Sequence, residues 1–150
     1  MIGEKRMPDI ILVSGGFDPI HSGHIKLIND ANKYGDVVVL LNSDAWLRNK
    51  KGKEFLSFDE RKIIMQNIKG VLDVLDFDDS DKTCVDGILK AKKLFRNNII
   101  KFANGGDRNN NTTPESVFCE KNNIQLLWGI GGENKSNSSS WILQKWKENN

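Results

Sequence analysis

The chain has 150 residues, the size of one domain, and its balance of 38% hydrophobic and 28% charged residues is that of a water-soluble fold with a full core. A net charge of only +2 excludes the polybasic footprint of a protein that grips duplex nucleic acid or a membrane surface. Cys84 and Cys119 match no metal spacing and no disulfide framework, and neither a leader-like apolar start nor a membrane-length run is present; two free thiols in a reducing cytoplasm are expected.

In chain order, the run from Asp9 to Val13 predicts a first strand. A helix from about His21 to Tyr34 follows, with Ile25, Ile28 and Ala31 on one face and Leu27 beside them. Asp36 to Leu41 (DVVVLL) reads as a buried strand, and Asn42-Ser43-Asp44 ends it ahead of a basic loop. Ser57 and Glu60 form an S-x-x-E capping box before Ile63, Ile64 and Ile68. Val71 to Phe77 is the third strand, and Thr83 caps a helix carrying Val85, Ile88, Leu89 and Phe95. Ile99 to Ala103 is the fourth strand, ended by Gly105-Gly106. Thr113-Pro114 places an N-cap before a proline at the first helical position, Ile124 to Trp128 is the fifth strand, and Ser138 opens a closing helix. Strands alternating with helices predict an α/β fold, a Rossmann-like doubly wound parallel five-stranded sheet in a single domain.

The stretch Gly15 to His24, GGFDPIHSGH, joins the first strand to the first helix. A helix start leaves unpaired N–H groups and a partial positive charge, so His21 and His24 fall where α/β proteins hold phosphate. Gly15 and Gly16 permit the sharp turn, and Gly23 lets the backbone come close. Taken alone, the pair reads equally as helix caps or as an H-x-x-H metal site. With the strand before it, the GFD prefix and the helix after it, the stretch resembles the signature of the HxGH nucleotidylyltransferase superfamily. That superfamily includes glycerol-3-phosphate cytidylyltransferases, heptose-1-phosphate adenylyltransferases and pantetheine-phosphate adenylyltransferases. The resemblance implies that His21 and His24 contact a triphosphate, that Gly15, Gly16 and Phe17 line the nucleotide site, and that Asp18 serves a metal or the turn. Gly16 stands where some relatives place a hydroxyl residue, so that side-chain contact is absent.

Later landmarks come in the same order. The loop Leu47 to Lys53 brings cations to the ligand edge, and the resemblance makes Lys51 the essential lysine, with Arg48 and Lys53 as secondary, substrate-binding candidates. Arg61, in SFDERKII, is either a phosphate fork or a helix-surface partner. Asp76, Asp78, Asp79 and Asp81 fail calcium-loop spacing and read as a solvated loop; DFDDSDKT also resembles the F-x-E-D-T stretch of sugar-phosphate adenylyltransferases. Gly105, Gly106 and Asp107 are a plain turn or, by the resemblance, a nucleotide contact. Ser138, Ser139 and Ser140 are similar to the serine-rich helix start that holds β- and γ-phosphates, with Lys135 as an additional contact, although the arginine-rich approach to that motif is missing. Trp141 and Trp146 are expected in the core or at a subunit contact, a homodimer being the plausible assembly.

These readings predict a nucleotidyltransferase. It would move a nucleoside monophosphate from CTP (or ATP), with Mg²⁺, to a small phosphorylated polyol or sugar. The leaning is narrowly to cytidylyl transfer. The alternatives are a sugar-phosphate or pantetheine-phosphate adenylyltransferase and, from another class, a non-catalytic nucleotide-binding sensor. No nucleic-acid or membrane partner is expected.

Overall fold

The computed structural model describes residues 7–105, 113–132 and 139–149. The element order is β1 (Ile10–Gly15), α1 (Ser22–Asn32), β2 (Asp36–Leu41), α2 (Asp44–Lys51), α3 (Phe58–Gln66), β3 (Val71–Leu75), α4 (Val85–Leu94), β4 (Ile100–Gly105), α5 (Pro114–Lys121), β5 (Gln125–Ile130) and α6 (Ser139–Glu148). All the strand pairs are parallel, in the order β3-β2-β1-β4-β5. The expected doubly wound five-stranded sheet is the one found.

Strand alternation divides the core into two layers. Ile10, Leu12, Val38, Leu40, Ile100 and Phe102 face one side, where Ile88 and Ala91 of α4 and Cys119 of α5 cover them. Ile11, Val13, Val37, Val39, Leu41 and Ala103 face the other, under Ile28 and Ala31 of α1 and Met65 of α3. A large aliphatic side chain fully buried in either layer stabilises the fold by about 1.5–3 kcal/mol. The two layers explain why β1 and β2 read as unbroken apolar runs rather than alternating ones.

Local signals set most helix starts. Ser57 Oγ accepts from the Glu60 amide (3.4 Å), and Thr113 Oγ1 from the Ser116 amide (3.1 Å) with Pro114 opening α5. Four expectations are corrected. Residues 44–51 form α2 rather than part of a basic loop. Its cap is Ser43, whose Oγ accepts from the Trp46 amide (3.1 Å). Only Leu47 of that helix is buried, too little apolar periodicity to register as a helix in the sequence. Cys84, not Thr83, occupies the N-cap of α4. Asp79 is buried rather than solvated. Trp141 and Trp146 are each more than half exposed on α6, which buries no residue, so they are not core. Among the described residues no helix is long and apolar enough to cross a membrane.

In this strand order the chain reverses direction of winding between β1 and β4. Their carboxyl ends therefore open a crevice, the usual ligand position in a doubly wound sheet. The Gly15 to His24 segment leaves β1 at that crevice, and Gly105 ends β4 beside it.

Candidate active site

The histidine loop is built by its own backbone. His21 is the N-cap of α1 and its Nδ1 accepts from the Gly23 amide at 3.0 Å. His24, three residues on, turns its Nδ1 back to accept from the His21 amide at 3.2 Å. The result is a reciprocal capping box made of two imidazoles in place of the usual serine and glutamate. A ring nitrogen that accepts an amide proton carries none of its own, so in the neutral rings the proton sits on Nε2. Both rings are thereby fixed as Nε2–H donors. They stack with centroids 3.8 Å apart, and the Phe17 ring meets His24 edge-on at 4.8 Å. Phe17 itself is buried and held at φ 50°, a left-handed backbone that few non-glycine residues adopt.

Burial, reinforced by the neighbouring His21, pushes the His24 pKa from 6.5 down to about 4. His24 is thus a neutral donor at physiological pH. The linkage has a definite sign: between pH 6.5 and 4 the unfolded chain takes up a proton that the folded chain refuses. Stability is therefore highest above 6.5 and falls, by on the order of 3 kcal/mol from this group, as pH drops to 4. Urea unfolding from pH 7 to pH 4 should show this loss. It should be largely missing from His24→Asn, which cannot titrate but keeps an oxygen for the His21 amide.

Gly16 turns the chain against Leu47: a Cβ there would lie 2.7 Å from Leu47 Cδ2, so any side chain would require that buried leucine to shift.

Asp18 is buried and ties the loop to the segment after α2. Its Oδ2 accepts from the Phe55 amide (2.6 Å) and its Oδ1 from the Leu56 amide (2.7 Å). Lys51, the last residue of α2, donates from Nζ to the Asp18 carbonyl and lies 3.2 Å from Asp18 Oδ2. The expected lysine is thus brought to the histidine loop. The secondary cations are not. Arg48 is committed to Glu54 through two bonds of 2.8 and 2.9 Å, and this pairing holds the Glu54 carboxyl at about 2. Lys53 is exposed on the turn between α2 and α3.

Arg61, expected either as a phosphate fork or as a helix-surface partner, is not on the surface, and its guanidinium is engaged within the protein. It is 1% exposed, and its guanidinium donates to the carbonyls of Leu56 (3.0 Å), Gly16 (3.0 Å) and Asn42 (2.8 Å) and to Asp44 Oδ1 (2.7 Å). It braces the loops after β1 and β2 against each other. Asp79, which sequence reasoning missed, fastens the loop after β3 to the loop after β2: it accepts from Asn42 Nδ2 (3.1 Å), Ser43 N (2.8 Å) and Ser43 Oγ (2.7 Å). Nothing in the spacing of the acidic run distinguishes Asp79 from Asp78 and Asp81, which bond locally to Ser80 and Thr83.

From the other side, Ser139 Oγ donates to the Pro19 carbonyl (2.7 Å), bringing the start of α6 to the histidine loop, with Ser140 exposed next to it. Gly106, Asp107, Lys135 and Ser138 lie outside the described residues. Among the described residues no group of three His, Cys, Asp or Glu side chains could hold a metal ion. Burial raises both Cys84 and Cys119 to about 12, so neither supplies a thiolate nucleophile at neutral pH. The arrangement offers fixed imidazole N–H donors, a lysine and a helix start around one crevice, a set suited to charge building on phosphate oxygens.

A family model described as cytidylyltransferase-like matches residues 12–107, nearly two thirds of the chain and the part that runs from β1 past β4. The bifunctional protein HldE of Geobacter metallireducens is 31% identical over an alignment covering 97% of this chain. The protein of the same name from Syntrophotalea carbinolica is 28% identical over 98% of it. The chain spans only 29% of the length of these relatives. A solved lipopolysaccharide core biosynthesis protein from Thermoplasma volcanium superposes with a TM-score of 0.63 at 18% identity. That match covers 87% of this chain and 99% of the other, a likeness of fold.

Proposed function

The chain belongs to the cytidylyltransferase-like family; on that premise, we propose that it is a nucleotidyltransferase that joins a nucleoside monophosphate from ATP to the phosphate of a small sugar. The observation that carries the chemistry is the pair of imidazoles locked as Nε2–H donors at the start of α1. An acceptor phosphate oxygen attacks the α-phosphorus in line, the bond to the β-phosphate bridge breaks, and pyrophosphate leaves. The acceptor is already an anion, so no general base is required. Charge that builds on the α-phosphate oxygens meets donors set beforehand by backbone bonds, which need no reorganisation as the reaction proceeds. Lys51 offsets the repulsion between the two anions, and the α6 start with Ser139 and Ser140 offers hydroxyl and amide donors to the β- and γ-phosphates. Magnesium would be carried by the triphosphate, offsetting its charge, since both Asp18 oxygens are already engaged by the Phe55 and Leu56 amides.

For the acceptor, two observations favour a sugar phosphate over a polyol phosphate. The relatives aligned along nearly the whole chain are bifunctional HldE proteins, which support sugar-phosphate adenylyl transfer. The DFDDSDKT stretch also resembles that of sugar-phosphate adenylyltransferases. A second reading, CTP with a polyol phosphate, draws on the description of the family model. Two free buried thiols suit a reducing cytoplasm. Pyrophosphate release from ATP with heptose 1-phosphate, set against CTP with glycerol 3-phosphate, separates the two. At least tenfold higher kcat/KM is expected for the first pair (on the order of 1.4 kcal/mol in transition-state binding). Turnover confined to the second pair would establish the other reading.

A further inference from the structure

We propose that Asp18 is a positioning residue for Lys51, holding the lysine amine at the histidine loop in the free protein and yielding it to the triphosphate when nucleotide binds. This rests on the nucleotidyl-transfer reading above. The Asp18 side chain is fully buried while that of Lys51 is 20% exposed, so the pair sits at the wall of the crevice, not in the core. Asp18 lies three residues before His21. Its carbonyl and its carboxylate both face the Lys51 amine, so the lysine is aimed at the loop that carries both histidines.

The carboxylate has further partners that decide the matter. Breaking a buried ion pair normally strands a charge, and a lysine so trapped could not move to substrate. Here the Phe55 and Leu56 amides already give one charge-assisted hydrogen bond to each Asp18 oxygen. Lys51 can therefore leave without orphaning the carboxylate, and residues 55–56 stay fastened while it does. Gly52, at φ 89° with open space around it, lets the chain turn directly after Lys51 so that those two amides come back to Asp18. The same aspartate thus sets both where the lysine starts and how far its anchor can shift.

A kinetic cycle tests this, with wild type, Asp18→Asn, Lys51→Met and the double variant assayed by pyrophosphate release. Asparagine keeps one acceptor oxygen but carries no charge with which to hold the ammonium in an ion pair. Asp18→Asn should lower kcat at least tenfold with a smaller change in KM, and Lys51→Met by roughly 100-fold. If Asp18 acts through Lys51, the double variant falls to the level of Lys51→Met within about threefold. Losses that multiply would make Asp18 an independent structural anchor and overturn the proposal. Should Asp18→Asn fail to fold, the wild-type protein decides, crystallised with the α,β-methylene analogue of ATP or CTP. Lys51 Nζ is expected on a phosphate oxygen, with the Phe55 and Leu56 amides still on Asp18. Lys51 remaining on Asp18 beside bound triphosphate overturns the proposal. In that case wild-type turnover is intact, whereas failure of the functional reading appears as wild-type protein that neither binds the analogue nor releases pyrophosphate, and sinks both.

Discussion

His24→Ala is expected to lower kcat by roughly 10²- to 10³-fold, the cost of one transition-state donor, while the protein remains folded. The reason is that the Nε2–H of His24 is held by a backbone bond on the opposite side of its ring, so removing the ring removes a donor that nothing else replaces. Two further substitutions separate donation from capping. Asparagine places an oxygen close to where Nδ1 accepts the His21 amide but reaches no further, so His24→Asn should keep stability at pH 7 and still lose the full factor. Glutamine extends an amide to about the position of Nε2 and should recover part of kcat while losing part of the cap, worth about 0.5–2 kcal/mol. Steady-state pyrophosphate release together with urea midpoints reads both effects. Because His24 is neutral down to about pH 4, the free enzyme should show no loss of kcat/KM from its protonation between pH 6 and 8. An His24→Ala protein with full activity would remove the donor role.

Arg61→Met is the substitution with the largest expected effect on stability, a loss of about 3–5 kcal/mol. The side chain would pack in place of the aliphatic stem, but the carbonyls of Leu56, Gly16 and Asn42 and the Asp44 carboxylate would lose their donor at once. Arg61→Lys keeps the charge as a single point and cannot span four acceptors set around a planar guanidinium, so it should recover less than half of that loss. Both variants should also lose activity beyond any unfolded fraction, since Gly16 and Asn42 belong to the loops that frame the crevice. Urea denaturation gives the free energies, and kcat of the residual folded protein gives the second effect. Wild-type stability in Arg61→Met would contradict the bracing role. A loss confined to nucleotide affinity would restore the phosphate fork expected from the sequence.

The sheet and the histidine cap were legible because both are local. β1 and β2 announce themselves as apolar runs, and a pair of imidazoles straddling a helix start can be placed from neighbouring residues alone. Ser57 and Thr113-Pro114 were readable for the same reason, each cap bonding within three residues. What could not be read is the direction in which polar side chains turn once separate loops meet. Arg61 sits in a helix-start pattern that suits either a surface pair or a phosphate, and only the approach of residues 16 and 42 draws it inward. Asp79 is one of four similar aspartates in six residues, and its burial depends on Asn42 and Ser43, more than thirty positions away. Arg48 reads as a free cation until the turn after α2 brings Glu54 back to it. α2 escaped notice because a short polar helix needs only Leu47 buried, and Ser43, its cap, reads as the end of a strand.

Following the α-phosphate itself is the most direct measurement. ATP and CTP labelled at that position would be incubated with the protein, Mg²⁺ and a panel of heptose 1-phosphate, glycerol 3-phosphate and phosphopantetheine. The label is expected to move onto one phosphorylated acceptor, with one pyrophosphate released per transfer. Label that stays in tightly bound, intact nucleotide with every acceptor would contradict group transfer and leave a nucleotide-binding domain.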